Sequence, residues 1–526
     1  MSMPKSRTIP ALIEEQALRY GELDALVGGG RRYTYISLRD EVRAFAKGLT
    51  ALGIGKGSRV AILMGNKPEW IIADLAICSL GAVMISVNTW VTTRELSYIL
   101  SHSDADTLIF QDQFLKYDYA AMLAEMEPHQ KSVPLLKELV HLGDRGYRNS
   151  VPFDGVYAKG RTIPDATIDA AAAAVVPEDV AYVLYTSGST STPKGVQLQH
   201  YALIENMWHL GNRMHVVPGD RAWLAVSLYW GLGCENILFN MLTHAGCVVL
   251  QEHFDPAEAL RLIEQERVTI FYGTSNMALA LSEHPDRAKR DLSSLRSGGT
   301  SGSVEQIQRV VALGAKELCT IYGLTESYGN CNVSDGRLDP RDKVYASVGR
   351  PLPGVQQRIV DPETLEPRKP GEVGEIQLKG YVTIGYYKDE DKNREAFTSD
   401  GFFRTGDFGI HDAEGFLYFR GRMKEMIKTG GINVSPAEVE SILVQQEGVR
   451  VAYVVPVPDS DRGEIVGAVL ITDDKDNVQL EQRLRTELKK SLAAYKIPRV
   501  YRFVNEAELP LMSTGKIKKN ELAKFF

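Results

Sequence analysis

The chain has 526 residues, 44% hydrophobic and 24% charged, with a formal net charge of −7. That length exceeds what one hydrophobic core supports, so two or more domains are expected. The acidic balance argues against a general nucleic-acid binder, and no run of about 18 apolar residues suggests a membrane-spanning helix.

Five cysteines (Cys78, Cys234, Cys247, Cys319 and Cys331) are odd in number and lack metal-ligand spacing. They read as reduced thiols of a cytoplasmic protein. The N-terminal Met-Ser-Met-Pro-Lys-Ser-Arg precedes no apolar signal core.

In chain order, a helical pattern at 37–52 gives way to Gly53, Gly55 and Gly57 and then to an apolar strand at 60–64. A helix at 68–80, a strand at 82–87, a helix at 93–102 and a strand at 107–110 follow. Strands spaced by helices predict a βαβ architecture. No GxGxxG accompanies them, so a dinucleotide site of the Rossmann type is not expected. Residues 128–178 read as an irregular connection. Alternation resumes with a helix near 203–213, strands at 221–226 and 247–251, a helix at 256–266 and a strand at 268–272. Between 354 and 378, short strands with Pro and Gly turns predict a small β subdomain. A boundary after residue 422 divides the chain into an N-terminal domain, 1–422, and a C-terminal one, 423–526. In the latter Ser435, Pro436 and Glu438 spell a helix start, followed by strands at 450–456 and 464–472 and a helix at 480–493. The expected fold class is therefore α/β: a large N-terminal domain of layered βαβ sheets plus the small β subdomain, with a smaller α+β C-terminal domain.

Five segments carry chemistry. The first is Tyr185-Thr-Ser-Gly-Ser-Thr-Ser-Thr-Pro-Lys194-Gly195, which follows the apolar run 181–185. Its hydroxyls, glycines and single cation are what a polyphosphate needs from a loop. Pro193 precedes the lysine, so it is not a Walker A loop. Ser/Thr/Gly-rich stretches are also common as plain surface connections. The second is Tyr322-Gly-Leu-Thr-Glu326, where an aromatic, a hydroxyl and a carboxylate crowd into five residues. Glu326 suits Mg²⁺, a hard cation that prefers oxygen. The third, Arg404-Thr-Gly-Asp407, offers a carboxylate to a ribose, and would otherwise be an ordinary β-turn. The fourth, 421–434, joins paired glycines to three cations, and the fifth puts Lys516 directly after Ser513-Thr514-Gly515.

Together and in this order the five segments resemble the adenylate-forming superfamily: acyl-CoA synthetases, aryl-CoA ligases, luciferases and peptide-synthetase adenylation domains. The resemblance spans nearly the whole chain. It implies a two-step ligase using ATP, Mg²⁺ and coenzyme A, in which a carboxylic acid becomes an acyl-adenylate and then a thioester. By resemblance, Thr186, Ser187, Gly188, Ser189, Thr190 and Lys194 would embrace the outer phosphates. Thr325 would meet the α-phosphate, and Glu326 would bind Mg²⁺. Gly298, Gly299, Thr300, Tyr322 and Gly323 would flank adenine; Asp407 and Arg422 would hold the ribose. Lys516 would orient the carboxylate for attack. Lys424 would be the hinge of a mobile C-terminal domain, whose swing brings Lys428, Gly430 and Gly431 to the pantetheine. The acyl pocket would involve Tyr229, Trp230, Asn236, Gly273, Thr274, Ser275, Gly298, Gly323 and Gly329. Roomy at its glycines and aromatic at one wall, it suggests a bulky aromatic, alicyclic or medium-chain acid.

Two positions depart from the family pattern: Ser191 replaces a glycine of the phosphate loop, and Trp230 stands where many members carry histidine. Two other readings stay open. A carrier protein's pantetheine arm presents the same thiol as CoA. Ser191-Thr-Pro-Lys194 with Lys428-Thr-Gly430 also matches the S-x-x-K and K-T-G elements of serine acyl hydrolases, which would need Ser191 at the start of a helix. A homodimer is compatible with the sequence.

Overall fold

The computed structural model describes residues 2–186, 193–429, 432–473, 477–492, 494–511 and 517–526, with backbone alone at 129, 130, 424, 432 and 433. The chain divides into two compact units, Met1–Gln356 with Leu378–Phe403, and Gln357–Gln377 with Arg404–Phe526.

The first unit is built on two sheets. In the nine-stranded sheet the parallel strands Glu317–Tyr322, Ser297–Thr300, Ile270–Tyr272, Arg221–Leu224 and Cys247–Leu250 lie side by side, with Asp24–Gly28 parallel to the last. Short antiparallel strands close both edges. The seven-stranded sheet runs Lys194–Gln199, Val180–Thr186, Val83–Ser86, Arg59–Leu63, Thr107–Gln111, Glu138–Leu142 and Val151–Pro152.

One large apolar core draws on both sheets and on helices between them. Helix Pro68–Ser79 shows why: eleven of its twelve residues are buried, as its nearly unbroken apolar sequence requires of a helix enclosed on all sides. Two further cores cover the outer faces. Helices Pro256–Gln265, Ser275–Glu283 and Val304–Leu313 cover the nine-stranded sheet, and Thr93–His102 with Tyr119–Glu125 cover the other. These outer helices carry one apolar stripe each, and two of them open on reciprocal caps, Thr92 with Glu95 and Ser303 with Gln306.

The second unit carries a four-stranded sheet, Gln356–Val360, Gly374–Lys379, Phe403–His411 and Leu417–Arg422. It also carries a five-stranded sheet around the long hairpin Val449–Asp459 and Gly463–Thr472, packed by helices Pro436–Leu443 and Asn477–Glu487. Ser435 caps the first of these helices, accepting from Glu438 N–H at 3.4 Å while its hydroxyl donates to the Arg420 carbonyl. That bond ties the small β sheet to the C-terminal segment, with which it clusters.

The α/β class and the βαβ alternation stand as expected. The stretch 128–178 differs from its expectation: Glu138–Leu142 is a full parallel strand, and two helices, Phe153–Gly160 and Asp165–Ala173, follow it. The first helix buries only Phe153, Val156 and Gly160. So sparse an apolar set gives no visible period. The helix expected at 480–493 is regular over Asn477–Glu487 and then tightens to a 3₁₀ turn.

Candidate active site

The parallel strands of the nine-stranded sheet direct their carboxyl ends to one edge, where open α/β sheets take their ligands. Gly273, Thr274 and Ser275 leave that edge after Ile270–Tyr272, Thr300 ends Ser297–Thr300, and Gly323–Glu326 leave Glu317–Tyr322. Thr300 Oγ1 donates to the Gly273 carbonyl at 2.9 Å, and Thr274 caps the helix Ser275–Glu283. Gly298 is a spacing requirement: a methyl there would lie 1.8 Å from the Phe271 carbonyl oxygen of the neighbouring strand. Gly329, at φ +81°, leaves room for the Asn236 amide, which a methyl would meet at 2.3 Å. Asn206 holds the turn beneath, donating to the carbonyls of Ser327, Tyr328 and Asn330 at 3.3, 3.2 and 2.8 Å.

Thr325 and Glu326 stand half-buried in a 3₁₀ turn directly after Tyr322. Tyr386 donates its hydroxyl to Glu326 Oε1 at 2.8 Å, and Thr383 N–H donates to the Glu326 carbonyl at 2.6 Å. The Lys194 ammonium lies 4.9 Å from the centre of the same Tyr386 ring. One aromatic residue therefore joins the lysine of the first motif to the acidic residue of the second. Glu326 and its chain neighbour Thr325 offer oxygen atoms, the donors that Mg²⁺ prefers. Among the described residues no cluster of three or more His, Cys, Asp or Glu could hold a metal ion.

Lys194 opens the strand Lys194–Gln199, paired antiparallel with Val180–Thr186 so that Thr186 faces Lys194. Ser187, Gly188, Ser189, Thr190 and Ser191 lie outside the described residues. Tyr98 donates its hydroxyl to the Pro193 carbonyl at 3.1 Å, and His102 Nδ1 lies 2.8 Å from the Tyr185 hydroxyl. Those rings brace the base of the hairpin. Because Lys194 begins a strand, the helix required for an S-x-x-K hydrolase is missing.

Trp90, Tyr229 and Trp230 form one aromatic cluster with ring centres 5.4–6.1 Å apart and steep interplanar angles, the arrangement that ring quadrupoles favour. Tyr229 is buried, and Trp230 and Gly231 are partly open. Asn236 is buried in a π-helical turn, Leu232–Ile237, beside Gly329.

In the second unit Asp407 pairs with Arg422 across an antiparallel ladder, Oδ1 to Nε 3.7 Å. Asp407 is 3% exposed, and the arginine is on the surface. Lys424 is described by its backbone, in the 3₁₀ turn Met423–Glu425. Exposed Lys428 lies on the strand Ile427–Thr429, its N–H donated to Glu464 Oε2 at 2.7 Å. Gly430, Gly431 and Lys516 lie outside the described residues; Leu511 and Ile517, which flank the last, form an isolated antiparallel bridge.

Sequence reasoning missed Trp90, Thr383, Tyr386 and Glu235. For Trp90 a signal existed: it follows the carboxyl end of the parallel strand Val83–Ser86. For Glu235 the signal was a single charge inside the apolar run 232–242.

Comparison with known proteins agrees over the whole length. The AMP-binding enzyme family matches residues 13–387, and the AMP-binding enzyme C-terminal domain matches 438–516. The chain is 32% identical to the 3-[(3aS,4S,7aS)-7a-methyl-1,5-dioxo-octahydro-1H-inden-4-yl]propanoyl:CoA ligase of Rhodococcus jostii, covering 98% of each. It is 29% identical to the mitochondrial medium-chain acyl-CoA ligase ACSF2 of Danio rerio, over 98% of this chain and 88% of that one. The crystal structure of the anthranilate CoA ligase AuaEII in complex with anthranoyl-AMP superimposes with a TM-score of 0.84 at 26% identity, covering 99% and 98%. The chain belongs to the AMP-binding, adenylate-forming enzyme family, as an ATP-dependent acid–CoA ligase of the AMP-forming kind.

Proposed function

We propose that the acid activated is a bulky aromatic, alicyclic or medium-chain one. The observation that carries this reading is the aromatic wall of Trp90, Tyr229 and Trp230. Flat and apolar surfaces of this kind suit a ring or a chain of several carbons. The alicyclic propanoyl, medium-chain and anthranilate substrates named for the three relatives span the same range.

The roles proposed for the residues follow from charge. Thr186, Lys194 and the loop 187–190 take the outer phosphates of ATP. Thr325 reaches the α-phosphate, where the acid attacks and pyrophosphate leaves. Glu326, oriented by Tyr386, would hold Mg²⁺, which would supply charge neutralisation at the phosphates. Gly298, Gly299, Thr300, Tyr322 and Gly323 form the adenine slot, and Asp407 and Arg422 take the ribose hydroxyls. The remaining pocket positions, Asn236, Gly273, Thr274, Ser275 and Gly329, shape the room for the acid. Lys516 brings its ammonium to the acid's carboxylate, which must approach a polyanion. That electrostatic help is expected to dominate the first step. The C-terminal part, 423–526, pivots at Lys424 between the half-reactions and exchanges Lys516 for the Lys428, Gly430 and Gly431 segment, which lines the path of the thiol.

The test is acid-dependent ATP–pyrophosphate exchange across two-carbon, medium-chain, alicyclic and aromatic acids, followed by thioester formation with CoA. Exchange is expected with the ring and medium-chain acids and not with acetate. Efficient exchange with acetate alone would refute the substrate class.

A further inference from the structure

Glu235 lies in the π-helical turn Leu232–Ile237, one residue before the pocket position Asn236. Such turns are rare and gather at functional sites. Its side chain is fully buried, and among the described residues neither carboxylate oxygen meets a hydrogen-bond partner. Burial pushes this carboxyl well above the usual carboxylate range, and Glu326 pushes it the same way. The phenols that feel its charge are engaged elsewhere: Tyr272 accepts from the Asn330 amide, and Tyr328 accepts from Gln199 N–H at 2.9 Å. The Tyr229 hydroxyl, six residues earlier in the chain, is likewise buried without a partner among the described residues.

The carboxyl packs against a partly open turn. A methyl group on Gly231 would stand 2.7 Å from Glu235 Oε1, so the missing side chain of Gly231 is what lets that oxygen come up against the turn. Trp230, Gly231 and Leu232 are all partly open. As a filler for an apolar turn, a carboxyl is a costly choice, since burying it unpaired loses its hydration with nothing in return. Pairing with a ligand restores that loss.

We propose that Glu235 determines specificity by receiving an O–H or N–H donor that the acid carries away from its reacting carboxylate. The preferred substrates are then hydroxy- or amino-substituted acids within the bulky class. This rests on the acid-activating reading above.

The test compares acids that differ by one group: benzoate with 3-hydroxy- and 3-aminobenzoate, and hexanoate with 6-hydroxy- and 6-aminohexanoate. The ratio of kcat/KM within each pair is measured by pyrophosphate exchange for the wild type, Glu235→Gln and Glu235→Leu. A site built around a buried polar group discriminates steeply against an analogue that leaves it unanswered, so the wild type is expected to favour at least one substituted acid by on the order of 10²-fold. In Glu235→Leu that ratio falls to within about threefold of unity. Glu235→Gln, which keeps the shape and an acceptor oxygen but not the charge, retains part of a hydroxyl preference and loses an ammonium preference. It also tests the proposal should the leucine variant not fold. No preference in the wild type, or the same preference in both variants, overturns the role of Glu235 and leaves acid–CoA ligation standing. Absence of exchange with every acid overturns the substrate reading, and this inference with it.

Discussion

Replacing Tyr386 by phenylalanine removes one oxygen and keeps the ring that lies 4.9 Å from the Lys194 ammonium. The lost hydroxyl donates to Glu326 Oε1 at 2.8 Å. A hydrogen bond to an ionised group contributes about 1.5–3 kcal/mol, and the half-buried position of Glu326 puts this one near the lower end. About 1.5 kcal/mol corresponds to roughly a tenfold change in an equilibrium or a rate. Removing the group that orients a metal ligand costs a similar factor, about 10–100-fold. The assay is pyrophosphate exchange titrated with Mg²⁺ at saturating acid. Tyr386→Phe is expected to raise the half-saturating Mg²⁺ concentration about tenfold. The KM for the acid should move little, because Tyr386 acts on the carboxylate and not on the acyl group. Tyr386→Ala also deletes the ring beneath Lys194 and is expected to lose roughly a further threefold, the size of a partly exposed cation–π contact. A Tyr386→Phe enzyme with wild-type Mg²⁺ dependence would refute both the metal role of Glu326 and the argument that Tyr386 fixes it.

Three more predictions test other parts of the molecule. Gly298→Ala would place a methyl 1.8 Å from the Phe271 carbonyl, and since two strand backbones must part, destabilisation of at least about 3 kcal/mol is expected; an unchanged melting temperature would contradict the strand spacing. Lys516→Ala is expected to abolish adenylate formation while sparing thioester formation from a supplied acyl-adenylate, and equal loss in both half-reactions would remove Lys516 from its assigned place. Asp74, fully buried, has its carboxyl pushed up to about 7 by burial, opposed by hydrogen bonds from Tyr182 and Cys78. Its folded-state value exceeds the unfolded one, so the native state holds the proton longer, and stability drains away as pH rises from about 4 to about 7, by at most about 4 kcal/mol. Asp74→Asn should flatten that slope, so that thermal unfolding at pH 5 and pH 8 differs less than in the wild type; an identical pH slope in the two proteins would exclude Asp74 as its source.

What the sequence made legible was local. The βαβ alternation follows from apolar runs broken by Gly53, Gly55, Gly57 and Gly81, and Thr325 and Glu326 follow a parallel strand because binding residues collect at strand ends. What it hid was pairing across distance. Tyr386 was invisible because the expected β subdomain stopped at 378, and nothing in Gly385-Tyr386-Tyr387 announces that it bridges Val196 and reaches Glu326. The stretch 128–178 was misread for a related reason: helix Phe153–Gly160 packs through Val156 against Gly48, where a methyl would meet the Val156 carbonyl at 2.2 Å. A contact made through an absent side chain leaves no apolar period to read.

Trp230 shows how the two kinds of information combine. Its sequence position, where histidine is common in the family, marked it as a departure without saying what replaced the imidazole. In the structure the replacement is a group of residues. Trp230 meets Trp90 and Tyr229 edge to face, and five residues on, Glu235 holds a buried carboxyl that packs against Gly231. An imidazole offers one ring that both donates and accepts. Here the apolar surface is on the indole and the polar group is a separate carboxyl five residues on. If Glu235 has the role proposed for it, such a division would select an acid with an apolar body and one polar substituent, which neither residue considered alone would imply.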